Sequence, residues 1–402
     1  MIIKDDGSRR EEVYRIWQRN FQDPVSYADF YFDRVYGKNE VLLYADRDQV
    51  CGMVHLNPYT LCLGGKKTDA SYIVGVATDE AYRRTGIMRK LLKETFEMLA
   101  DRGQAITYLM PANEAYYLPF DFRFGMEQLE QEIQILDPET AFGQESRAGD
   151  FRITDQASPE QLEELARMEN EVKASRFDIF TQVSPDYYTR LGLEAVSDYG
   201  RLFYVFEGDR PAGRFAAGLE NGCLLLSRIF CRDMERTGVF LQAVLSFCEK
   251  KYHYRHFQLI MDGAWEPFLL PPGPAKGLRF YPVKREKKIM FRILDPAGLS
   301  GCFSSGGDFD GIICLEDAFF PRAEGCYRLH AGEGKLEIIR LEETGQGAQD
   351  FGKITMADLT RVLLSDDQER QQALKEADLT ERGRKALDLI RPARRICVME
   401  IV

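Results

Sequence analysis

A chain of 402 residues, 45% hydrophobic and 29% charged, has an ordinary globular composition. At about 100–200 residues per domain it holds roughly two to four domains. Its formal net charge of -11 argues against general nucleic-acid binding, which needs a basic face, and no apolar run is long enough to span a membrane.

The N-terminus, MIIKDDGSRREE, is charged from the start, so it does not read as a signal peptide and a cytoplasmic location is expected. SRREEVYRIWQRNFQ (8–22) has the spacing of an amphipathic helix, with Val13, Ile16, Trp17 and Phe21 on one face, and a second helix is expected over 25–36. Four strands follow, over 40–46, 50–56, 59–65 and 70–78, the first two joined by a turn at 47–49. A helix then carries Met88, Leu91, Leu92, Phe96 and Leu99 at helical spacing. AITYLMP (105–111) reads as a strand, NEAYYLPF (113–120) as a short helix stopped by proline, and EQLEQEIQIL (127–136) as a further strand.

The second block opens with a helix over 158–176, capped by Ser158. A hairpin over 199–218, a strand over 222–230, a helix over 236–251 and a strand over 256–262 follow. This block repeats the first: VLLYADRDQVCGMV is echoed by LFYVFEGDRPAGRF, and RRTGIMRKLLKETFE by ERTGVFLQAVLSFCE. Glu235 replaces Arg83, and Val239–Leu241 carry no basic residue where the first copy has Arg89. Beside a pyrophosphate an acid is repulsive, so the second copy reads as a structural partner without a cofactor site.

The third block shows strands in KKIMFRILD, FDGIICLED, GCYRLHAG and KLEIIRLEE, and helices over 355–365 and 379–391. The final RRICVMEIV is apolar and β-prone up to Val402, unlike an ordinary frayed end. It reads either as a strand completing a sheet or as a means of holding the terminal carboxylate in place. The nine cysteines are scattered without a CxxC pair, and they read as small core residues rather than as disulfides or zinc ligands. His55, His253, His256 and His330 are the only histidines, so neither a His-centred triad nor a metal site is expected.

One stretch concentrates positive charge in this acidic chain. In ATDEAYRRTGIMRKLLKETF (77–96), Arg83, Arg84, Arg89 and Lys90 surround Gly86 at a helix start. Unpaired N–H groups, the helix dipole and arginines suit a phosphate there, although a solvated basic helix start has the same composition. VATDEAYRRTGIMRKLL resembles the acetyl-CoA motif of the GCN5-related N-acetyltransferases (GNAT), usually Arg/Gln-x-x-Gly-x-Gly/Ala. Met88 stands at the last small position, as in the Eis (enhanced intracellular survival) branch. The EAYYLPFDF segment, the degenerate second block and a last block resembling sterol carrier protein also look like that branch. The resemblance implies a mixed α+β and α/β fold. It would comprise a catalytic GNAT domain (1–137), a degenerate GNAT-like domain (138–286) and a sterol-carrier-like α+β domain (287–402).

The same resemblance implies site residues. The pyrophosphate would rest on the backbone of Arg84, Thr85, Gly86, Ile87, Met88 and Arg89. Val76, Ala77 and Thr78 would hydrogen-bond the pantetheine arm and the thioester oxygen. Ala112 and Asn113 would add a further cofactor contact. In the motif Tyr-x-x-Phe-x-Phe/Tyr, Tyr117 would be the general acid, with Tyr116 the alternative and with Pro119 and Asp121 unusual in their positions. The carboxylate of Val402 would be the base, and Glu400, on the same strand face, would bind a cationic amine. Leu389-Ile390-Arg391-Pro392 places an arginine where the sterol-carrier resemblance expects an apolar helix end, which works against a lipid tunnel.

The expected activity is therefore acetyl transfer from acetyl-CoA to a primary amine of an aminoglycoside-like polycation or a lysine side chain, without metal. A homo-oligomer, a hexamer in particular, is implied by resemblance alone. No nucleic-acid or membrane partner is expected. The alternative is an inactive or lipid-binding carrier or scaffold built on the last block.

Overall fold

The structure, a computed structural model, describes residues 1–142, 151–220, 222–262, 265, 276–342 and 350–398. The chain divides into two compact units. One comprises Met1–Met126, Asp178–Thr181 and Lys287–Val402, and the other Glu127–Phe177 and Gln182–Glu286. Residues 1–126 of the first block and the third block thus lie in one unit, while the strand expected over 127–136 falls in the other.

In the first unit the chain runs β1 (Ile2–Lys4), α1 (Arg10–Asn20), α2 (Val25–Phe30), β2 (Glu40–Asp46), β3 (Gln49–Leu63), β4 (Lys66–Thr78), α3 (Ile87–Asp101) and β5 (Ile106–Leu109). β1 to β4 pair antiparallel in order, and β4 meets β5 in parallel. On its far side β5 takes a strand of the third block, Met290–Ile293, antiparallel. The last segment adds a six-stranded sheet with Phe309–Glu316 and Gly325–Gly332 among its strands, together with helices Met356–Leu364, Asp367–Glu376 and Glu381–Leu389.

Several local expectations change. The two strands expected at 50–56 and 59–65 are one continuous β3. Pro58 is tolerated there because the β2 ladder ends at Leu56, so no partner on that side needs its missing N–H. The helix expected over 25–36 tightens and loosens along its length, from α at 25–30 to a π turn at Tyr31–Val35 and a 3-10 turn at Tyr36–Lys38. Helices Pro185–Ser197 and Asp367–Glu376 were not expected. Cys314 and Cys326 form a disulfide, contrary to the reading of every cysteine as a free core residue. The cause is register: these strands pair antiparallel with Cys314 opposite Cys326, Cα atoms 4.0 Å apart.

One feature of the first sheet shapes the site. The β3–β4 register slips between Met53, opposite Ala77, and His55, opposite Val74. The extra residue lies at Gly75, whose φ of +61° is left-handed. A Cβ there would come within 2.6 Å of the Trp17 ring. Trp17 belongs to a buried aromatic cluster with Tyr31, Phe32 and Tyr36, and stacks on Tyr31 at 4.6 Å.

His55 is fully buried beside this cluster, with Nδ1 3.2 Å from the Tyr31 hydroxyl. Burial pushes its imidazole down from 6.5 to about 3, so it is neutral. A depressed imidazole stabilises the fold fully above the unfolded value and progressively less as pH falls from 6.5 toward 3. His55→Gln is therefore expected to flatten the acid limb of stability by up to about 1.4 kcal/mol per pH unit. Urea unfolding between neutral pH and pH ~4 reads this; parallel slopes for variant and parent would refute it.

The second unit carries the repeat in three dimensions. Strands Gly200–Glu207, Arg210–Glu220 and Cys223–Cys231 pair antiparallel, helix Thr237–Tyr252 follows, and His256–Asp262 pairs in parallel with Cys223–Cys231. That is the order and sense of β2, β3, β4, α3 and β5. Even the bulge recurs: the register slips between Arg214 and Ala216, with Arg228 at φ +52°. The helix start does not recur. Gly238, the counterpart of Gly86, lies inside the first turn of its helix, so the second copy has no left-handed glycine before the helix.

Candidate functional site

The basic loop sits between β4 and α3. Asp79 follows β4 and its carboxylate accepts from Ala81 N–H at 3.2 Å, capping a 3-10 turn at Glu80–Tyr82. Thr85 Oγ1 donates to Tyr82 O at 2.6 Å. Arg84 and Gly86 then adopt left-handed φ values of +63° and +80°. Gly86 is the N-cap of α3 and supplies no side-chain cap. The N–H groups of Ile87, Met88 and Arg89 therefore have no intrahelical acceptor, while Lys90 N–H is the first to bond back, to Gly86 O at 3.1 Å. Together with the helix dipole this makes an anion-binding start.

The arginines are divided in their duties. Arg83 is braced, donating to Asn20 Oδ1 at 2.9 Å and Thr78 O at 3.4 Å, and so ties the end of α1 to the loop. Arg89 lies over the Phe319 ring at 4.9 Å. Arg84 has no hydrogen-bond or ion partner among the described residues and remains available to an anion.

Beside this loop the sheet opens. The parallel ladder between β4 and β5 pairs Tyr72 with Tyr108 and, among the described residues, nothing beyond. Val76, Ala77 and Thr78 therefore have β3 on one side, where Ala77 faces Met53 and Thr78 faces Gly52, and among the described residues no strand partner on the other, where the Thr78 carbonyl accepts from Arg83. Such an edge can take an extended pantetheine arm by backbone hydrogen bonds.

The segment after β5 is two 3-10 turns, Glu114–Tyr116 and Leu118–Phe120, rather than the single short helix expected, because Pro119 cannot donate within a continuous helix. Asn113 caps this turn, its side chain accepting from Ala115 N–H at 2.9 Å and its carbonyl from Tyr116 N–H at 3.2 Å. The two tyrosines separate cleanly: Tyr116 is 58% exposed and Tyr117 only 8%. Burial raises the Tyr117 phenol to about 12, so it is protonated at any ordinary pH. Asp121, where glycine is usual, has a left-handed φ of +61° and closes the second turn.

The described chain ends at Val398, which is buried, after Ile396 and Cys397 pair in parallel with Ile179 and Phe180. Glu400 and Val402 lie outside the described residues. Among the described residues no cluster of His, Cys, Asp and Glu has the makings of a metal site, and no helix is long and apolar enough to cross a membrane. Sequence reading missed Gly75. Its only signal was a glycine inside the apolar run ASYIVGVAT, and a glycine within a strand pattern commonly marks a bulge.

Residues 5–125 match the family model of the acetyltransferase (GNAT) domain. No curated protein matches the chain by sequence. The fold is shared along its whole length with solved structures. A GCN5-related N-acetyltransferase from Kribbella flavida is 15% identical with TM-score 0.75, covering 100% of this chain and 98% of that one. A conserved protein from Enterococcus faecalis, described as a probable N-acyltransferase, is 15% identical with TM-score 0.76, covering 100% and 99%. Eis1 from Mycobacterium abscessus is 14% identical with TM-score 0.68, covering 99% and 98%. Residues 5–125 match the acetyltransferase (GNAT) domain, and the chain as a whole has a fold it shares end to end with Eis1 of Mycobacterium abscessus.

Proposed function

We propose that the protein transfers acetyl from acetyl-CoA to a primary amine of a small polycation, such as an aminoglycoside, or of a lysine side chain, by direct attack in a ternary complex. The observation that carries this reading is the convergence of three features in one unit: the open N-terminus of α3, the unpaired edge of β4 and the buried, protonated Tyr117. The pyrophosphate would rest on the N–H groups of Ile87, Met88 and Arg89, with Arg84 adding charge. Backbone N–H groups at Val76 to Thr78 would hold the thioester and stabilise the oxyanion.

In the reaction the amine nitrogen bonds to the thioester carbon and the C–S bond breaks. The amine proton goes to the carboxylate of Val402, and Tyr117 gives its hydroxyl proton to the departing thiolate. Glu400 would attract the cationic acceptor. In this reading residues 1–137 are the catalytic domain, 138–286 the degenerate copy and 287–402 a sterol-carrier-like domain that carries the terminus. The assembly would be a homo-oligomer, a hexamer in particular, in the cytoplasm.

The carrier alternative gains little support from the third block. A cavity of 770 Å³ there is lined by four carboxylates and by Arg382 and Lys385 alongside Phe309, Phe351 and Leu389, and so many charged groups disfavour an apolar ligand. The test is free-thiol release from acetyl-CoA by the untagged chain, offered aminoglycosides, polyamines and lysine peptides. Amine-dependent release is expected. Acetyl-CoA binding without release by any amine, or no binding at all, would reject the reading.

A further inference from the structure

We propose that Arg292, a buried residue of the third block, is a positioning residue that fixes the turn carrying Tyr117; the inference rests on Tyr117 acting as the general acid. Arg292 lies on the strand that pairs with β5, opposite Thr107, and is fully buried. Its Nε donates to Phe120 O at 2.9 Å, its Nη1 to Ile293 O and its Nη2 to the Asp317 carboxylate. Phe120 N–H in turn donates to Tyr117 O at 3.0 Å. One guanidinium thus fixes the last carbonyl of the turn that Tyr117 begins.

The other end of the clamp is equally fixed. Asp317 is buried, and its second oxygen accepts from Phe320 N–H at 2.8 Å. Between them, Phe319 packs on Phe120 at 4.6 Å and on Phe96 of α3 at 5.4 Å, and carries Arg89 on its face. The Arg292 guanidinium itself lies 5.4 Å from the Phe96 ring. The two walls of the proposed acetyl-CoA site, α3 and the Tyr117 turn, are therefore held against one loop, Asp317–Phe320.

An apolar side chain could fill this space without the cost of burying a charge, which is offset only where geometry and hydrogen bonds are complete. What arginine adds is a rigid fork with fixed donor directions, which makes a backbone carbonyl and a distant carboxylate one unit. The same fork steadies Asp121, whose carboxylate is 3.9 Å away and whose backbone is left-handed. Burial raises the Asp121 carboxyl, and Arg292 opposes that rise.

The experiment is a double-mutant cycle in kcat using acetyl-CoA and the fastest amine of the panel above. Arg292→Lys keeps a cation for Asp317 but replaces the fork, whose Nε and Nη2 serve Phe120 O and Asp317 together, with a single nitrogen. Arg292→Lys is expected to lower kcat by about 10- to 100-fold, the scale of a small misplacement, with the acetyl-CoA KM changed by less than about threefold. In the Tyr117→Phe background the same change is expected to have almost no further effect, because both act on one proton transfer. Where thermal unfolding shows that Arg292→Lys does not fold, Asp317→Asn takes its place in the cycle. Folded variants with unchanged kcat, multiplicative losses in the double variant, or failure of both variants to fold would each overturn the proposal. Tyr117→Phe alone separates the two ideas: full activity there removes the acid assignment, and any loss in Arg292→Lys is then structural.

Discussion

Tyr117→Phe is expected to lower kcat by about 10²- to 10⁴-fold, the usual contribution of a positioned general acid. The phenol is buried and pushed up to about 12, so it remains a proton donor throughout the pH range in which an amine nucleophile can be studied. The ring lies 5.8 Å from Phe122, edge to face, and phenylalanine keeps that packing. Acetyl-CoA binding, read by calorimetry, should therefore change by less than about threefold, since the loss belongs to the transition state and not to the ground state. Removing Val402 is expected to give a comparable fall, because it moves the carboxylate by one residue. Two variants with parental kcat would reject the acid–base pair. The alkaline limb of the rate profile tests the phenol separately, since a decline well below pH ~12 belongs to another group.

The largest effect on stability is expected in the second unit. Glu169, Lys173 and Arg214 are fully buried together. Arg214 donates to Glu169 through Nε at 2.9 Å and Nη2 at 2.6 Å, Lys173 Nζ lies 2.8 Å away, and the Tyr188 hydroxyl donates at 2.9 Å. Burial opposes ionisation of Glu169, but Arg214 and Lys173 overcome it and hold the carboxyl down to about 2. Glu169→Ala leaves two cations in an apolar interior and is expected to cost about 3–5 kcal/mol. Replacing all three by apolar residues of similar volume is expected to recover much of that loss, since the pairs mainly offset their own desolvation. Urea unfolding of the variants measures both. A loss below about 1 kcal/mol for Glu169→Ala would mean that water reaches the network. The stabilisation by Glu169 is present above the ordinary carboxylate range and is lost as pH falls toward 2, because its folded value is depressed.

Much of the local structure around the candidate site was legible because its signals are local. Gly86 after Arg83, Arg84 and Thr85 marks a basic helix start within four residues of sequence, and the spacing of Leu91, Leu92, Phe96 and Leu99 names the buried face of α3. The repeat was legible for the same reason: a hairpin, strand, helix and strand leave a pattern wherever they occur. Gly238 shows the limit. The Arg-Thr-Gly string is the same as in the first copy, yet there the glycine is helical.

Other features belong to register and burial, which short segments do not carry. Tyr116 and Tyr117 are neighbours of the same type, and only packing put one in solvent and the other in the core. Cys314 and Cys326, twelve residues apart, became a pair because two strands aligned them. Asp121 looked out of place until Arg292 and Asp317, some 170 and 196 positions along the chain, were seen beneath the turn. The sequence by itself determined most of the strands and helices, the duplication and the basic helix start, because propensity, capping and periodicity act over a few residues. Only the tertiary structure decided which strand edge stays open, which tyrosine is buried and what holds its turn, because those depend on long-range contacts whose partners no local pattern specifies.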